Sequence, residues 1–229
     1  MQIAITAATE GELALTRQQV SHAYAQTGTP VNISFHATGV GMLATAVSLT
    51  KLAIEQKPGF IVQAGIAGCF DNASGLGEVF AVNNEMLADM GVNEDGIWKD
   101  MFDLALEKDN NTPFTERCLP NNNLVKYNLL KLPVVNAVTI NEITTSPKRR
   151  LQIEEKYAPF IESMEGAALH YVCGLQNIPF IQMRAISNYI GERDKTKWKM
   201  KEAIINLNNT LLDYLQALEN SIHLNTGNR

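Results

Sequence analysis

Three polar side chains capable of chemistry stand where predicted strands of the chain end: Glu12, Glu165 and Asn188. A partly desolvated carboxylate can remove a proton from an attacking water. A second carboxylate can accept hydrogen bonds from a sugar diol and stabilise positive charge that develops on the sugar. A carboxamide carries both a donor and an acceptor, so it suits the polar edge of a nucleobase. These residue types predict a site for a nucleoside.

The segment Glu162–Asn188 positions two of these side chains. Its pattern predicts a strand that ends near Met164, a turn of small residues, a helix that stops near Asn177, and a second strand that ends at Asn188. Glu165 and Asn188 then lie at the carboxyl ends of two strands. Ligands of open α/β sheets bind at that edge.

Strand-like and helix-like runs alternate along the rest of the chain, which predicts a central, mostly parallel, mixed sheet covered by helices on both faces. The other predicted strands are Gln2–Ala8, Val31–Thr38, Phe60–Ala64, Glu78–Ala88 and Leu132–Ile140, and the other helices are Glu10–Thr27, Met42–Gln56, Pro147–Tyr157 and Trp198–Asn220. We therefore expect a single three-layer α/β/α domain over residues 1–222, followed by a flexible tail at 223–229.

The polar stretch Asp89–Asn123 interrupts this alternation. Long irregular segments in compact domains are usually functional or mobile. Both a lid over the site and a contact with a partner subunit fit this stretch.

Bulk composition excludes several function classes. The chain has 229 residues, of which 45% are hydrophobic and 19% charged, and its net charge is −5. This acidic balance argues against a nucleic-acid partner, and no apolar run approaches the ~20 residues of a membrane span. The cysteines, Cys69, Cys118 and Cys173, lack metal-ligand spacing and cannot all pair, which favours reduced thiols in a cytoplasmic protein. The four histidines are scattered, so no metal site is predicted.

Each candidate residue also has a structural interpretation. Thr9 and Glu12 have the spacing of a capping box at the start of a helix. Glu165 fits a first-turn carboxylate favoured by the helix dipole. Asn188 fits ordinary turn chemistry after a strand.

Two glycine-rich segments also follow predicted strands. The sequence G-V-G-M-L-A at Gly39–Ala44 matches a dinucleotide-binding fingerprint between a strand and a helix. The next strand, however, ends in Gln63 and Ala64 without the acidic residue that would bind an adenosine ribose. The run Gly65–Gly68 reads as a glycine turn at the end of that strand.

Five short motifs occur in order along the chain and together resemble the nucleoside phosphorylase and nucleosidase superfamily. They are A-A-T-E-G-E-L at Ala7–Leu13, G-V-G at Gly39–Gly41, Q-A-G-I-A-G at Gln63–Gly68, M-E-G-A-A at Met164–Ala168 and R-A-I-S-N at Arg184–Asn188. The resemblance covers nearly the whole chain. Within the superfamily the chain is most similar to the futalosine hydrolases, a sister group of the methylthioadenosine/S-adenosylhomocysteine nucleosidases.

The resemblance implies a role for each matching residue. Glu12 would activate water, Glu165 would bind the ribose 2′- and 3′-hydroxyls, and Asn188 would hold the base. The supporting residues that it implies are Gly65, Ile66 and Ala67 beneath the ribose and base, Met164 against the ribose, and Ser187 beside the amide. Thr139 and Ile140 follow a strand toward the same edge, so we expect them to line the base. The resemblance implies no metal or organic cofactor, a small-molecule nucleoside substrate and a homodimer.

Two departures from family patterns direct the substrate prediction. Gln63 stands where bacterial-type phosphorylases carry an arginine for phosphate, and a neutral amide cannot replace that charge. Asn188 stands where adenine-specific relatives carry an aspartate, which points to a 6-oxopurine. The predicted reaction is hydrolysis of futalosine to release hypoxanthine, in menaquinone biosynthesis. The benzoate-bearing tail of that substrate needs a cationic or donor-rich partner, for which Arg184 and Arg193 are candidates.

Three alternatives remain open at this point. The first is a methylthioadenosine/S-adenosylhomocysteine nucleosidase, which the residue at position 188 disfavours. The second is a phosphorolytic enzyme, and the third is a non-catalytic nucleoside-binding protein of the same fold. The pair of glutamates argues against the third alternative.

Overall fold

Strands and helices alternate in the computed structural model, which describes residues 2–24 and 32–226. The strands are β1 (Gln2–Ala7), β2 (Asn32–Ala37), β3 (Phe60–Cys69), β4 (Val79–Leu87), β5 (Gly91–Glu94), β6 (Ile97–Asp100), β7 (Leu119–Pro120), β8 (Val134–Thr139), β9 (Ile161–Ser163) and β10 (Phe180–Tyr189). The helices are α1 (Glu10–Tyr24), α2 (Met42–Glu55), α3 (Leu124–Tyr127), α4 (Pro147–Tyr157), α5 (Gly166–Gln176) and α6 (Met200–Thr226). The predicted alternation of elements is confirmed.

Eight of these strands form one mixed sheet that closes on itself. β3 lies at the junction, because it pairs with β10 along one edge and with β1 and then β9 along the other. From β10 the sheet continues through β4 and β8 and returns to β9. Parallel pairs predominate, although β4 runs antiparallel to β10 and β9 antiparallel to β3. The predicted mixed sheet is confirmed, and its closure around β3 is an additional feature.

Helices cover the sheet on two faces, as the alternation predicts. α1 and α6 pack on one face through an apolar core that includes Ile5, Val62 and Leu211. α2 and α5 cover the opposite face over Ile61 and Phe180. Neighbouring residues of a strand point to opposite faces, so Ile61 and Val62 each fill a different layer.

α1 is described through Tyr24, and the remainder of the predicted first helix, like the first residue of the predicted second strand, falls on residues 25–31, outside the described part of the chain. Two other segments differ from their predicted limits. α6 continues to Thr226, four residues into the predicted tail at 223–229, and residues 227–229 lie outside the described part of the chain. The prediction of a turn at Gly65–Gly68 was wrong. β3 runs through that segment to Cys69 because it pairs there with both β9 and β10.

The segment Asp89–Asn123 contains the β5–β6 hairpin, which turns at Asp95 and Gly96, both with positive φ. The Trp98 indole N–H donates to the Tyr157 hydroxyl at 2.9 Å. The hairpin is therefore held against α4 of the same chain.

Asn208 of α6 is a wholly buried amide that binds α1 directly behind Glu12. Its Oδ1 accepts hydrogen bonds from the Thr16 backbone N–H at 2.9 Å and the Thr16 hydroxyl at 2.7 Å. Its Nδ2 donates to the carbonyl oxygens of Glu12 at 2.8 Å and Ile204 at 2.7 Å. The amide thus fixes the first turns of α1 relative to α6.

We predict that Asn208→Ala lowers the free energy of unfolding by about 2–4 kcal/mol, because it leaves several buried polar groups without a partner. Chemical denaturation of the variant and the parent measures this difference. Asn209→Ala is the matched control, because Asn209 is the exposed neighbour on the same helix. An equal decrease in the free energy of unfolding in the two variants would contradict the anchoring role of Asn208.

Candidate active site

A cavity of about 310 Å³ opens at the carboxyl-terminal edge of the sheet. The predicted site residues that line it are Glu12, Ile66, Ala67, Ile140, Met164, Glu165, Ser187 and Asn188. The other two, Gly65 and Thr139, lie outside the cavity wall. No residue of the segment 89–123 contributes to the lining, which disfavours its interpretation as a lid. Its other interpretation, a contact with a partner subunit, stays a prediction.

Glu12 lies on the cavity wall with its carboxylate held at both oxygens. Oε2 accepts from the Thr9 backbone N–H at 3.0 Å and from the Thr9 hydroxyl at 2.9 Å. Oε1 accepts from the Ile66 backbone N–H at 3.3 Å. The side chain thus makes the backbone contact of a capping box and also faces the cavity. The capping contact orients the carboxylate and does not exclude a chemical role.

Glu165 occupies the N-cap position of α5 but makes no side-chain bond to that helix. Its Oε1 accepts from the Gly41 backbone N–H at 3.0 Å, and its Oε2 lies 3.5 Å from Arg184 Nη1. Gly41 has a φ of +90°, a conformation that favours glycine. Because this N–H at the start of α2 binds the chain's own carboxylate, the dinucleotide interpretation of Gly39–Ala44 is disfavoured.

Arg184 is a buried cation, 1% exposed, that does not line the cavity. Its Nη2 donates to Gln63 Oε1 at 2.9 Å. A Cβ on Gly65 would lie 2.1 Å from Arg184 Nη1 and 3.3 Å from Glu12 Oε1. Gly65 therefore makes room for the guanidinium and does not reach the cavity itself. Arg184 is equally out of reach of a substrate tail.

Thr139 was expected at the base but lies in a buried polar cluster behind Glu165. Its hydroxyl donates to Glu85 Oε2 at 2.8 Å and accepts from the Ala167 backbone N–H at 2.8 Å. Gln182 donates to the other Glu85 oxygen at 2.8 Å. Burial raises the pKa of Glu85 to about 7, against the opposing effect of these donors. The hydroxyl of Thr139 thus anchors the start of α5.

Asn188 lies on the cavity wall next to Ser187. The Ser187 hydroxyl lies 2.8 Å from Asn188 Oδ1 and can donate to it, and Asn188 Nδ2 donates to the Tyr189 carbonyl at 3.2 Å. The register between β10 and β3 shifts between Ile186 and Asn188, which lets two successive polar residues reach the cavity. An amide nitrogen carries two N–H donors, so one remains for a ligand.

Sequence reasoning missed several lining residues, of which Glu162, Ile143 and Thr144 are the most informative. Glu162 is 5% exposed on β9. A charged residue inside the apolar run that precedes Met164 was the available signal for it. Of the two arginines considered for a substrate tail, Arg193 lines the cavity and is exposed at its rim.

His170 and the three cysteines lie away from the cavity. The His170 Nδ1 bonds to the Leu119 carbonyl at 2.7 Å, and burial lowers the pKa of His170 to about 4. The three cysteines are unpaired. In residues 2–24 and 32–226, no group of three His, Cys, Asp or Glu side chains is arranged to hold a metal ion. No helix in those ranges is long and apolar enough to cross a membrane.

The model of the phosphorylase superfamily matches residues 2–216, so the chain belongs to that superfamily. A futalosine hydrolase of Thermus thermophilus is 29% identical over 73% of this chain and 74% of the relative. A 5′-methylthioadenosine/S-adenosylhomocysteine nucleosidase of Bacillus velezensis is 21% identical over 95% of this chain and 100% of the relative. The crystal structure of such a nucleosidase from Campylobacter jejuni has a TM-score of 0.76 at 18% identity, covering 96% and 99% of the two chains.

These relatives confirm the predicted family, and the solved structure confirms the fold. They also support a nucleoside N-glycosidase activity for the chain, without distinguishing futalosine from methylthioadenosine or S-adenosylhomocysteine as its substrate.

Proposed function

We propose that this protein hydrolyses the N-glycosidic bond of futalosine, releasing hypoxanthine and leaving dehypoxanthine futalosine, in menaquinone biosynthesis. The observation that carries the proposal is the arrangement of Glu12, Glu165 and Asn188 around one cavity. Two carboxylates suit the sugar side of the scissile bond, and a neutral amide suits a 6-oxopurine base. The similarity to the Thermus thermophilus futalosine hydrolase supports the same substrate.

Glu12 is the general base in this proposal. Its carboxylate is held by Thr9 and Ile66 at the cavity wall and is 7% exposed. A water on the sugar side of the cavity loses its proton to this carboxylate as the oxygen attacks the anomeric carbon. The donors from Thr9 and Ile66 fix the direction of the acceptor lone pairs.

Glu165 binds the ribose 2′- and 3′-hydroxyls. Its two oxygens each have one partner in the chain, Gly41 or Arg184, and an ionised carboxylate offers about four lone-pair sites. Two further hydroxyl donors can therefore be accepted. As the glycosidic bond breaks, positive charge develops on the sugar, and a carboxylate nearby stabilises it.

The charge of the cavity wall favours water over phosphate as the nucleophile. Among the described lining residues the charged side chains are Glu12, Glu162, Glu165, Glu192 and Arg193. A phosphate dianion that entered this cavity would face four carboxylates and one exposed guanidinium. Arg184, a nearby cation, is buried and bound to Glu165 and Gln63, and it does not line the cavity.

Asn188 favours a 6-oxopurine over adenine. With Oδ1 accepting from Ser187, Nδ2 presents a donor to O6 or N7 of the base. The 6-amino group of adenine would place a donor against that donor. The unpaired contact costs about 1–3 kcal/mol, or roughly tenfold to a hundredfold in selectivity. This preference is the argument against the methylthioadenosine alternative.

A homodimer is the assembly that we propose. The exposed face of α2 carries Leu43, Val47 and Ile54, each more than half exposed. Their spacing places them along one stripe of the helix. Val40, on the cavity wall, is exposed beside the start of this stripe. A second copy that covers the stripe would lie at the edge of the cavity.

The substrate proposal is tested with futalosine, aminodeoxyfutalosine, methylthioadenosine and inosine, each with and without phosphate. We expect the highest kcat/KM for futalosine, with free hypoxanthine and an unphosphorylated sugar product in both buffers. A sugar 1-phosphate as the main product would overturn hydrolysis. A higher kcat/KM for methylthioadenosine would overturn the substrate, and binding without release of any base would favour the non-catalytic alternative.

Glu12→Gln should lower kcat by roughly 10²–10⁴-fold, because the amide keeps the shape of the side chain but cannot accept the proton from water. Inhibition by hypoxanthine should change little. Glu10→Gln is the matched control, since Glu10 lies on the same helix turn, pairs with Arg17 at 2.7 Å and is exposed. Turnover by a folded Glu12→Gln variant close to that of the control would return Glu12 to a purely capping role.

Arg193→Gln should raise KM for futalosine about fivefold and leave KM for inosine unchanged. The guanidinium is the partner that we propose for the substrate carboxylate, and its exposure limits the effect to that of a solvent-screened pair. Lys195→Gln is the control, because this exposed cation lies two residues away and does not line the cavity. An equal rise in KM for both substrates would place Arg193 outside the tail contact.

A further inference from the structure

Glu162 is a buried carboxylate on the cavity wall with one oxygen unengaged. Its Oε1 accepts from the Thr144 backbone N–H at 3.1 Å. Its Oε2 has no hydrogen-bond partner in residues 2–24 and 32–226. Burial raises the pKa of Glu162, against the opposing effect of Thr144. A buried carboxylate oxygen without a donor is costly, so a ligand that brings a donor to it gains affinity.

The sheet places Glu162 opposite Asn188 across a single glycine. Gly68 of β3 is the register partner of Glu162 on β9 and of Asn188 on β10. Directly paired residues project to the same face of a sheet. Two strand spacings separate the outer backbones, which is about 10 Å. Gly68 has no side chain, and Ile190 packs over it instead, because a Cβ on Gly68 would lie 2.5 Å from Ile190 Cδ1. An apolar surface therefore lies between the carboxylate and the amide.

The side chains that line the cavity between Glu162 and Asn188 suit a flat heterocycle. Ile140, Ile143 and Ile190 line the cavity and supply apolar contact area. Asn188 Nδ2 lies close enough to Gly68 that a Cβ there would be 3.3 Å away. The polar groups thus flank this apolar surface on two sides, with a donor at Asn188 and an acceptor at Glu162.

We propose that Glu162 accepts a hydrogen bond from the ring N1–H of a 6-oxopurine and is the second residue that selects the base. This inference rests on the proposed function and deepens it. Along one edge, hypoxanthine presents N7 as an acceptor, O6 as an acceptor and N1–H as a donor. Asn188 supplies one donor, for O6 or N7, and Glu162 supplies the acceptor for N1–H. Adenine carries a donor, its 6-amino group, in place of O6, and an acceptor, N1, in place of N1–H. The N1 lone pair of adenine would therefore face a carboxylate oxygen.

Inhibition constants of free hypoxanthine, 1-methylhypoxanthine and adenine test this assignment. For the unmodified protein we expect methylation of N1 to weaken binding roughly tenfold to a hundredfold, because it removes the donor and leaves Oε2 unpaired. Hypoxanthine should bind more tightly than adenine. Equal inhibition constants for hypoxanthine and 1-methylhypoxanthine would overturn the proposal without any variant.

Inhibition of the Glu162→Gln variant by the same free bases is the second test of the proposal. The Thr144 N–H holds the amide oxygen on its own side, so the amide N–H₂ faces the base in place of Oε2. A donor then meets N1–H of hypoxanthine, whereas adenine N1 gains a donor. The ratio of the hypoxanthine affinity to the adenine affinity should fall at least tenfold. Glu142→Gln, an exposed glutamate outside the lining, should leave this ratio unchanged.

The outcomes separate this inference from the proposed function. A folded Glu162→Gln variant that keeps the original ratio would make Glu162 a structural residue, while futalosine hydrolysis could still stand. Conversely, an unmodified protein that binds hypoxanthine as described but releases no base from 6-oxopurine nucleosides would sink the proposed function and leave the base contact intact.

Discussion

The buried guanidinium of Arg184 is the interaction on which the candidate site depends. Gln63 and Glu165 hold it, and it fits only because Gly65 lacks a side chain. A buried ion pair gains little net stability from its formation, since both charges lose their hydration. Removing one partner, however, leaves an uncompensated charge and costs about 3–5 kcal/mol. The pair therefore fixes the Glu165 carboxylate in position, beside the point where Glu12 Oε1 also approaches Gly65.

The closure of the sheet brings together residues that are far apart in the sequence. β3 pairs with β10 throughout and with β9 at its carboxyl end. An open sheet would have left β9 and β10 on separate edges. Closure instead puts Glu162 and Asn188 on either side of Gly68, and it puts Glu165 next to Arg184. The same closure explains why β3 is longer than predicted, because its last residues are paired on both edges.

The sequence predicts the strand ends better than the direction of the side chains. Glu165 and Asn188 were found because a polar residue after an apolar strand marks the ligand edge of a sheet. Thr139 meets the same criterion but points into the cluster around Glu85. Glu162 was missed because its role depends on pairing between β9 and β3, which local pattern does not contain. Motif order identified the family, whereas contacts between distant strands decide which side chains reach the cavity.

In the proposed reaction, the charges of the cavity wall match the charges that develop in the transition state on the sugar and on the base. Glu12 and Glu165 are the anions on the sugar side, where positive charge develops. Asn188 is a neutral donor on the base side, where the leaving purine becomes electron-rich and can spread its charge onto O6. An anion at Glu162 does not help that base to leave, since it raises the electron density of the ring. Its position at the cavity wall is therefore better explained by selection of the base than by acceleration of bond cleavage.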